Sequence, residues 1–214
     1  MLRYYICAQP LSMPIPASSS GKSAITVKRI SGDDPVCAFF PRSTELIKQR
    51  FDNGYVCLVA NVKGRFAGYL WYACHAYEED EVRCRFEFSK PEESVWDFDV
   101  YVEPEFRMGR TFIRLWEAAN TMLCEDGKRI SYSRIAPSNL KSITSHNRLG
   151  TKKISTLTFI CFGQHQFMLK SKAENLIHYS KSHATRPIVL LATSLFWVGA
   201  LNLLRSAELF SLIV

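Results

Sequence analysis

A run of residues near the middle of the chain has the order strand, turn, helix that binds phosphate groups in many proteins. Residues 96–112 have the sequence WDFDVYVEPEFRMGRTF, in which a strand breaks at Pro104 and leads into a turn with one glycine and two arginines. A helix that begins directly after such a turn presents backbone N–H groups to an anion. The run therefore predicts a pyrophosphate-binding loop, and a second short helical run, SNLKSITSHNRLG at residues 138–150, follows it.

Two aspartates in the same run are suited to act on an amine. Asp97 and Asp99 alternate with apolar residues in a strand over 95–102, so regular strand geometry places both carboxylates on one face, about 7 Å apart. Two carboxylates at that separation raise one pKa, and either can serve as a general base, directly or through water. The alternative is that they cap turns or form ion pairs with Arg83 or Arg85 on a neighbouring strand.

An acidic run follows an earlier predicted strand. Glu78, Glu79, Asp80 and Glu81 lie directly after the aromatic-rich strand 66–77. Their charge would attract a cationic acceptor such as an amine. A solvated turn is the alternative interpretation, because runs of charge are often only that.

Composition limits the class of protein. The 214 residues carry 27 Lys and Arg against 20 Asp and Glu, a net charge of +7, and 47% of them are apolar. This apolar fraction is enough for a packed core, and the positive charge favours anionic partners. Nucleic-acid binding would require a basic, aromatic-lined stripe, whereas the positive charges here are scattered, so we expect no nucleic-acid partner.

The cysteines and the first residues indicate the compartment. Seven cysteines without a C-x-x-C pair or zinc-like spacing predict reduced thiols and no metal site. Residues 1–8 make a poor secretory signal, because their apolar run is short and broken. We therefore expect a cytoplasmic protein.

Hydrophobic periodicity predicts an α+β domain over residues 24–170, with a mixed, mostly antiparallel sheet flanked by helices. The predicted strands span residues 24–30, 55–62, 66–77, 95–102, 130–135, 154–162 and 164–169. The predicted helices span residues 43–51, 111–126 and 139–149. Gly127 and Gly150 stand where the last two helices must end.

The two ends of the chain differ in composition from this domain. Residues 1–23, with several prolines and a Ser-rich tract, are predicted to be a flexible lead-in. A basic linker over 171–186 leads to a hydrophobic helix or tail over 187–214, which begins with eighteen uncharged residues, 187–204. That length is the threshold for a helix that spans a bilayer with the domain on its cytoplasmic side. A helix packed on the domain or on a partner subunit is the equal alternative.

Taken together, the motifs resemble the GNAT superfamily of acyl-coenzyme A-dependent N-acyltransferases. Residues 100–107, VYVEPEFR, are similar to the family's fourth strand and its exit, V-x-P-x-[YF]-R, and residues 108–112 occupy the position of its pyrophosphate loop. Residues 139–150 match the family's helix motif N-x-x-S-x-x-x-[YH]-x-x-L-G. The resemblance extends over residues 24–169 and includes blocks similar to a bacterial subgroup of unknown acceptor.

The resemblance implies a role for each motif. The backbone of Val100 and Val102 would lie beside the pantetheine arm of the cofactor, with the Val100 N–H polarising the thioester carbonyl. His146 occupies the position of a tyrosine that protonates the leaving thiolate in many family members, with a helix-surface histidine as the alternative. Asn139 and Ser142 would hydrogen-bond to the pantetheine amides, although Asn139 can equally cap its own helix.

The pyrophosphate loop departs from the family pattern R-x-x-G-x-[GA]. Counting from Arg107, Arg110 and Phe112 stand at the two small positions, and Gly109 comes one place early. The amides of residues 108–112 can still face phosphate oxygens, and Arg107 and Arg110 add charge-assisted hydrogen bonds. The predicted phosphate-binding residues are Arg107, Met108, Gly109, Arg110 and Thr111. A collapsed loop would instead leave a non-catalytic relative.

These inferences predict an enzyme that transfers the acetyl group of acetyl-CoA, or another acyl group, to an amine of a small-molecule or peptide acceptor, by direct attack in a ternary complex. The predicted catalytic residues are Asp97, Asp99 and His146. A catalytically inactive binding or regulatory module of the same fold, free or membrane-tethered, is the alternative. Membrane contact or self-association through residues 187–204, attachment to the inner face of a membrane, and a homodimer are further expectations.

Overall fold

The computed structural model describes residues 1–11, 24–171 and 177–192, in which three α-helices and twelve strands form an α+β domain. The helices are α1 (Thr44–Asp52), α2 (Thr111–Glu125) and α3 (Leu140–Asn147). The strands are β1 (Leu2–Pro10), β2 (Ile25–Ile30), β3 (Val56–Val62), β4 (Arg65–Ala73), β5 (Ala76–Glu78), β6 (Arg85–Phe88), β7 (Ser94–Val102), β8 (Ile130–Ile135), β9 (Lys152–Phe162), β10 (His165–Lys170), β11 (Ile177–Ser180) and β12 (Ile188–Leu191).

The helices begin and end where local chemistry dictates. The Ser43 side chain accepts a hydrogen bond from the Leu46 N–H (3.3 Å) and so starts α1. Helix α2 is amphipathic, and Gly127 follows its end with a φ of +77°, a conformation that glycine adopts without strain. The residues that α2 buries are Thr111, Leu115, Trp116, Ala119 and Leu123.

Nine strands form the main sheet in the order β11-β10-β9-β1-β8-β7-β4-β3-β2. Neighbouring strands run antiparallel except for β7 and β8, which are parallel. That parallel pairing joins only Ser94–Trp96 to Ile130–Tyr132, after which β7 continues along β4. The separation of two strands within one sheet opens a cleft between them.

Different elements cover the two faces of the main sheet. Because side chains alternate along β4, Leu70 lies on one face with Leu115 and Trp116 of α2. Trp71 lies on the other face, where it packs with Ile47 of α1. The two helical layers therefore lie on opposite sides of the strands that separate.

A second sheet, β12-β6-β5, covers the rest of the face that carries α1. The ring of Phe86 in β6 stacks on Trp96 of β7 with 4.2 Å between centroids, and both side chains are fully buried with Tyr4 and Phe159. This packing fixes β5 and β6, and with them their connection, against β7.

The N-terminal segment differs from the predicted lead-in. Within residues 1–23, Leu2–Pro10 form β1, which lies inside the main sheet between β8 and β9. Tyr4, Ile6 and Ala8 alternate into the core between the sheets. The short apolar run is therefore a strand, and Pro10, which has no N–H to donate, stands at its end. Residues 12–23 lie outside the described residues.

The C-terminal segments also differ from the prediction. Within the predicted linker 171–186, residues Ile177–Ser180 form β11. Within the predicted helix 187–214, Ile188–Leu191 form β12, which pairs in parallel with β6 because Val189 and Leu191 fill the core between the sheets. Residues 193–214, which contain most of the predicted helix, lie outside the described residues. In the described ranges, no helix has the length and apolar character needed to cross a bilayer.

Strands β4 and β7 approach each other closely at Gly68. A Cβ atom there would lie 3.1 Å from the Cα atom of Val102 and would collide with the carbonyl oxygen of Tyr101. We expect Gly68→Ala to push the strands apart and to lower the free energy of unfolding by about 2–3 kcal/mol, measured by denaturant titration. Gly64→Ala is the control, since its Cβ would meet nothing within 4 Å. There the alanine is destabilising only through the positive φ, which costs about 1 kcal/mol of folding free energy. Equal losses in the two variants would contradict the steric explanation.

Candidate active site

A cleft of about 400 Å³ lies where β7 and β8 separate. It is bounded by residues 42–52, which comprise α1 and the two residues before it and which we call the α1 segment. The β5–β6 connection, β7, the end of β8 and α3 form its other walls. The residues predicted from the sequence that line it are Asp97, Asp99, Val100, Asn139, Ser142 and His146. Val102 and residues 107–111 follow the cleft along the same strand and its exit.

Beyond Trp96, no described strand pairs with the edge of β7 that faces the cleft. The Glu103 N–H donates to the Ala67 carbonyl at 3.0 Å, on the side of β4. Because backbone groups alternate along a strand, the N–H groups of Val100 and Val102 point away from β4, toward the side that β8 has left. The Val102 carbonyl accepts a hydrogen bond from Arg107 Nε (2.9 Å), which confirms that direction.

The loop between β7 and α2 leaves the start of α2 open. Arg110, the residue before the helix, provides no side-chain cap, whereas the Gly109 N–H donates to the Phe106 carbonyl at 3.1 Å. Arg107, Gly109 and Arg110 are exposed, and Met108 is 99% exposed. The first N–H groups of a helix have no partner inside the helix, so this end can bind an anion.

Phe112 does not crowd this loop. Its ring is partly buried in the core below α2, and its centroid lies 5.7 Å from that of His146. The residue at the second small position of the family pattern therefore packs inside the domain. Thr111, in contrast to its exposed neighbours in the loop, is buried.

Asp97 is buried at the point where β7 leaves β8. Its Oδ1 accepts a hydrogen bond of 2.6 Å from Ser131 of β8. Burial raises the pKa of Asp97 to about 7, against which the bond from Ser131 acts only in part. Burial, together with the charge of Asp97, also raises the pKa of the Cys7 thiol in β1 to about 12. A carboxyl group whose pKa lies near neutrality is suited to take up and release a proton.

Asp99 has a different environment. Arg42 binds its two oxygens through Nε and Nη2, each at 3.1 Å, and Arg50 Nη1 lies 2.8 Å from Oδ2. The Tyr69 hydroxyl donates to the same oxygen at 3.1 Å. The carboxylate thus accepts four hydrogen bonds and joins the α1 segment to the centre of the sheet.

A bulge accounts for the difference between the two aspartates. In the β4–β7 register Trp71 faces Asp99 and Tyr72 faces Asp97, so Phe98 is an extra residue in β7. The extra residue breaks the alternation on which the predicted shared face depends, and the carboxylates have separate partners. The raised pKa of Asp97 comes from burial and not from Asp99.

Nor do the arginines named in the sequence analysis bind these carboxylates. Arg83 donates to the Gln164 carbonyl and to Ser180, and Arg85 pairs with Glu78 and Glu87. The actual partners, Arg42, Arg50 and Ser131, are far from Asp97 and Asp99 in sequence. No local pattern indicates them, because only the folded sheet brings these segments together.

The acidic run is part of the cleft wall and not a free turn. Arg134 of β8 pairs with Glu79, with Asp80 at 3.5 Å and with Glu81 at 3.2 Å. The Tyr4 hydroxyl also donates to Glu81, and the Arg134 guanidinium lies 4.4 Å from the centre of the Tyr4 ring. Burial raises the pKa of Glu79 to about 7.

His146 lies on the opposite side of the cleft, in the α2–α3 interface. It is 5% exposed, and its ring packs edge-on against Trp116 with 5.8 Å between centroids. Burial lowers its pKa to about 4, which favours the neutral imidazole at pH 7, and its role as a proton donor stays a prediction. Among the residues that the structure describes, its Nδ1 has no hydrogen-bond partner.

Asn139 and Ser142 lie at the start of α3. The Asn139 side-chain oxygen accepts a hydrogen bond from the Ser142 N–H at 3.1 Å, so Asn139 is the N-cap of its helix. The amide group of Asn139 and the hydroxyl of Ser142 remain directed to hydrogen-bonding partners outside this cap. Both residues line the cleft.

Comparison with solved structures identifies the fold. A tandem GNAT protein from the clavulanic acid biosynthesis pathway matches with a TM-score of 0.50 and 14% identity, over 73% of this chain and 51% of that one. A functionally unknown conserved protein from Staphylococcus epidermidis matches with a TM-score of 0.50 and 11% identity, over 72% and 59%. The protein yncA of Salmonella typhimurium, solved with its cofactor acetyl-CoA, matches with a TM-score of 0.43 and 16% identity, over 74% and 91%.

Sequence comparisons give no further match. No model of a protein family matches the chain, and no curated protein does. The structural likeness nevertheless shows that the chain has the fold of the GNAT superfamily, which confirms the fold expected from its motifs. At this level of identity the likeness concerns the fold and not the residues of the site.

The bonds of Asp99 give a stability prediction. We expect Asp99→Ala to lower the free energy of unfolding by about 3 kcal/mol or more, because it leaves the guanidinium of Arg50, whose side chain is 8% exposed, without its carboxylate. Denaturant unfolding measures the loss. Asp52→Ala is the control, since its pair with Lys48 is exposed and worth less than about 1 kcal/mol. A loss no larger than that of the control would show that Asp99 does not hold α1.

Proposed function

We propose that this protein is an acyl-CoA-dependent N-acyltransferase that transfers an acetyl group from acetyl-CoA to an amine of a small-molecule or peptide acceptor. The observation that carries the proposal is the separation of β7 from β8. It leaves an edge of β7 that no described strand pairs with, and this edge leads directly to a helix start without a side-chain cap. This combination suits a long, thin cofactor that carries phosphates at one end.

The residues around the cleft fit such a cofactor. The amides of Met108 and of residues 110–112, with the side chains of Arg107 and Arg110, would hold the pyrophosphate, since the Gly109 N–H already donates to the Phe106 carbonyl. Arg107 already donates Nε to the Val102 carbonyl, so its terminal nitrogens are the ones left for phosphate oxygens. The pantetheine arm would lie along Val100 and Val102, with Asn139 and Ser142 on its other side.

Asp97 is the general base of this proposal. It would take a proton from the acceptor amine, whose nitrogen attacks the thioester carbonyl carbon. The Val100 N–H would stabilise the oxyanion, and the C–S bond breaks as the amide forms. The proton held by Asp97 balances the thiolate, directly or through water. His146, neutral at pH 7, would contribute a hydrogen bond and not a proton.

Cofactor binding is the first test. We expect acetyl-CoA to bind the full chain with a micromolar Kd by isothermal titration calorimetry, and the double variant Arg107→Ala, Arg110→Ala to bind at least tenfold more weakly, because two charge-assisted phosphate contacts are lost. The control removes two exposed charges elsewhere, by Lys48→Ala and Lys90→Ala, and should keep the affinity. Absence of binding by the folded wild-type protein would favour an inactive module of the same fold.

The pKa of Asp97 gives a pH dependence. We expect the rate of thiol release from acetyl-CoA in the presence of primary amines to rise with pH through about 7, and Asp97→Asn to lower it about 10²–10⁴-fold. The folded-state pKa lies above the unfolded value, so the stabilising effect of the protonated form is lost as the pH rises through 7. Asp97→Asn should therefore unfold no more easily than wild type above pH 7. An inactive variant that is also less stable there would count against the assignment.

A further inference from the structure

The cleft is acidic in a protein with a net charge of +7. Three guanidinium groups and four carboxylates line it in the described part of the chain, and Glu79 lies behind Arg134 as a fifth carboxylate. The charges are not mixed evenly. Asp99 forms ion pairs with Arg42 and Arg50, whereas the only ion-pair partner of Glu79, Asp80 and Glu81 within the described residues is Arg134. We call this second group the acidic wall.

The acidic wall is held rigidly toward the cleft. The Glu79 N–H donates to the Cys84 carbonyl at 2.9 Å and so closes the β5–β6 connection. Gln166 of β10 binds the backbone of Arg83 in both directions, with bonds of 2.9 and 2.7 Å. A solvated turn has no such anchors. The carboxylates are therefore preorganised, and a ligand would not have to order them on binding.

The exposed part of the acidic wall has excess negative charge. The side chains of Asp80 and Glu81 are 54% and 51% exposed, whereas Glu79 is fully buried and Arg134 is 17% exposed. Even with Glu79 protonated, the one guanidinium of Arg134 faces two half-exposed carboxylates. A cation at the mouth of the cleft would complete this arrangement.

A second observation, on the other side of the cleft, also indicates that a ligand fills it. The buried Nδ1 atom of His146 has no partner within the described ranges, although buried polar atoms are nearly always paired. Asp97, also buried, lines the same cleft as His146 and the acidic wall. The cleft thus combines residues suited to the acyl donor, a buried carboxyl group, and carboxylates suited to a cation.

We infer that the acceptor is a small diamine, which places one amine at Asp97 and its second, protonated amine at Asp80 and Glu81. This inference rests on the proposed acyl transfer and specifies its acceptor. The amine at Asp97 loses its proton and gains the acyl group, while the distal ammonium keeps its charge and only binds. A carboxylate in place of the distal ammonium would be repelled by the acidic wall.

Three probes of nearly equal length test the inference in the full chain. They are 1,4-diaminobutane, n-butylamine and 4-aminobutanoate, which differ at the distal end in charge. With acetyl-CoA, we expect kcat/KM for 1,4-diaminobutane to exceed that for n-butylamine at least tenfold, and 4-aminobutanoate to be the poorest acceptor. The double variant Asp80→Asn, Glu81→Gln should bring the ratio of diamine to monoamine close to one. The charge-matched control Asp52→Asn, Glu87→Gln should keep the wild-type ratio.

Direct binding separates this inference from the proposed function. Calorimetric titration of 1,4-diaminobutane into the protein saturated with coenzyme A should show saturable binding that the Asp80→Asn, Glu81→Gln variant loses. Diamine binding without acyl transfer to any amine would contradict the proposed function but would still support the cation site. Equal kcat/KM values for the diamine and the monoamine, or diamine binding unchanged in the variant, would overturn the inference.

Discussion

The early end of the parallel pairing between β7 and β8 is the constraint on which the rest of the structure depends. Three residue pairs join the strands, and directly after them the Asp97 side chain bonds to Ser131. Beyond that point the edge of β7 is left with backbone groups that need partners. The α2–α3 layer closes one side of the gap, and the α1 segment and the small sheet close the other. The position of every candidate site residue follows from this gap.

The same residue type behaves in opposite ways at two positions of β7. Asp99 accepts hydrogen bonds from two guanidinium groups and a hydroxyl. Asp97 has one neutral donor, Ser131, and is buried, which favours its protonated form. Because their environments differ, one carboxyl group can stabilise the fold while the other exchanges protons. The single extra residue of the bulge, Phe98, places the two side chains in these different environments.

Local features of the sequence are sufficient to predict the central helices and strands. The strand, turn and helix over residues 96–112 and the cap at Asn139 depend on neighbours in the chain, and the structure has them where the pattern predicts them. The bulge at Phe98 is not predictable from local sequence, because it exists only in the register of β7 against β4. The partners Arg42 and Arg134 were missed for a similar reason, since each reaches its carboxylates only across the folded sheet. The alternation in β1 does not by itself predict a strand, because it is short and ends in proline.

The place of β1 has a consequence for how the chain folds. β1 precedes the other described strands in the chain, yet its two neighbours in the sheet, Ile130–Ile135 and Lys152–Phe162, come last among the central strands. Until these strands form, Tyr4 and Ile6 have no core to enter. Contacts of such large sequence separation slow folding and expose unpaired strand edges in partly folded chains. The centre of the sheet therefore closes late, and the cleft beside it forms only when nearly the whole domain has been synthesised.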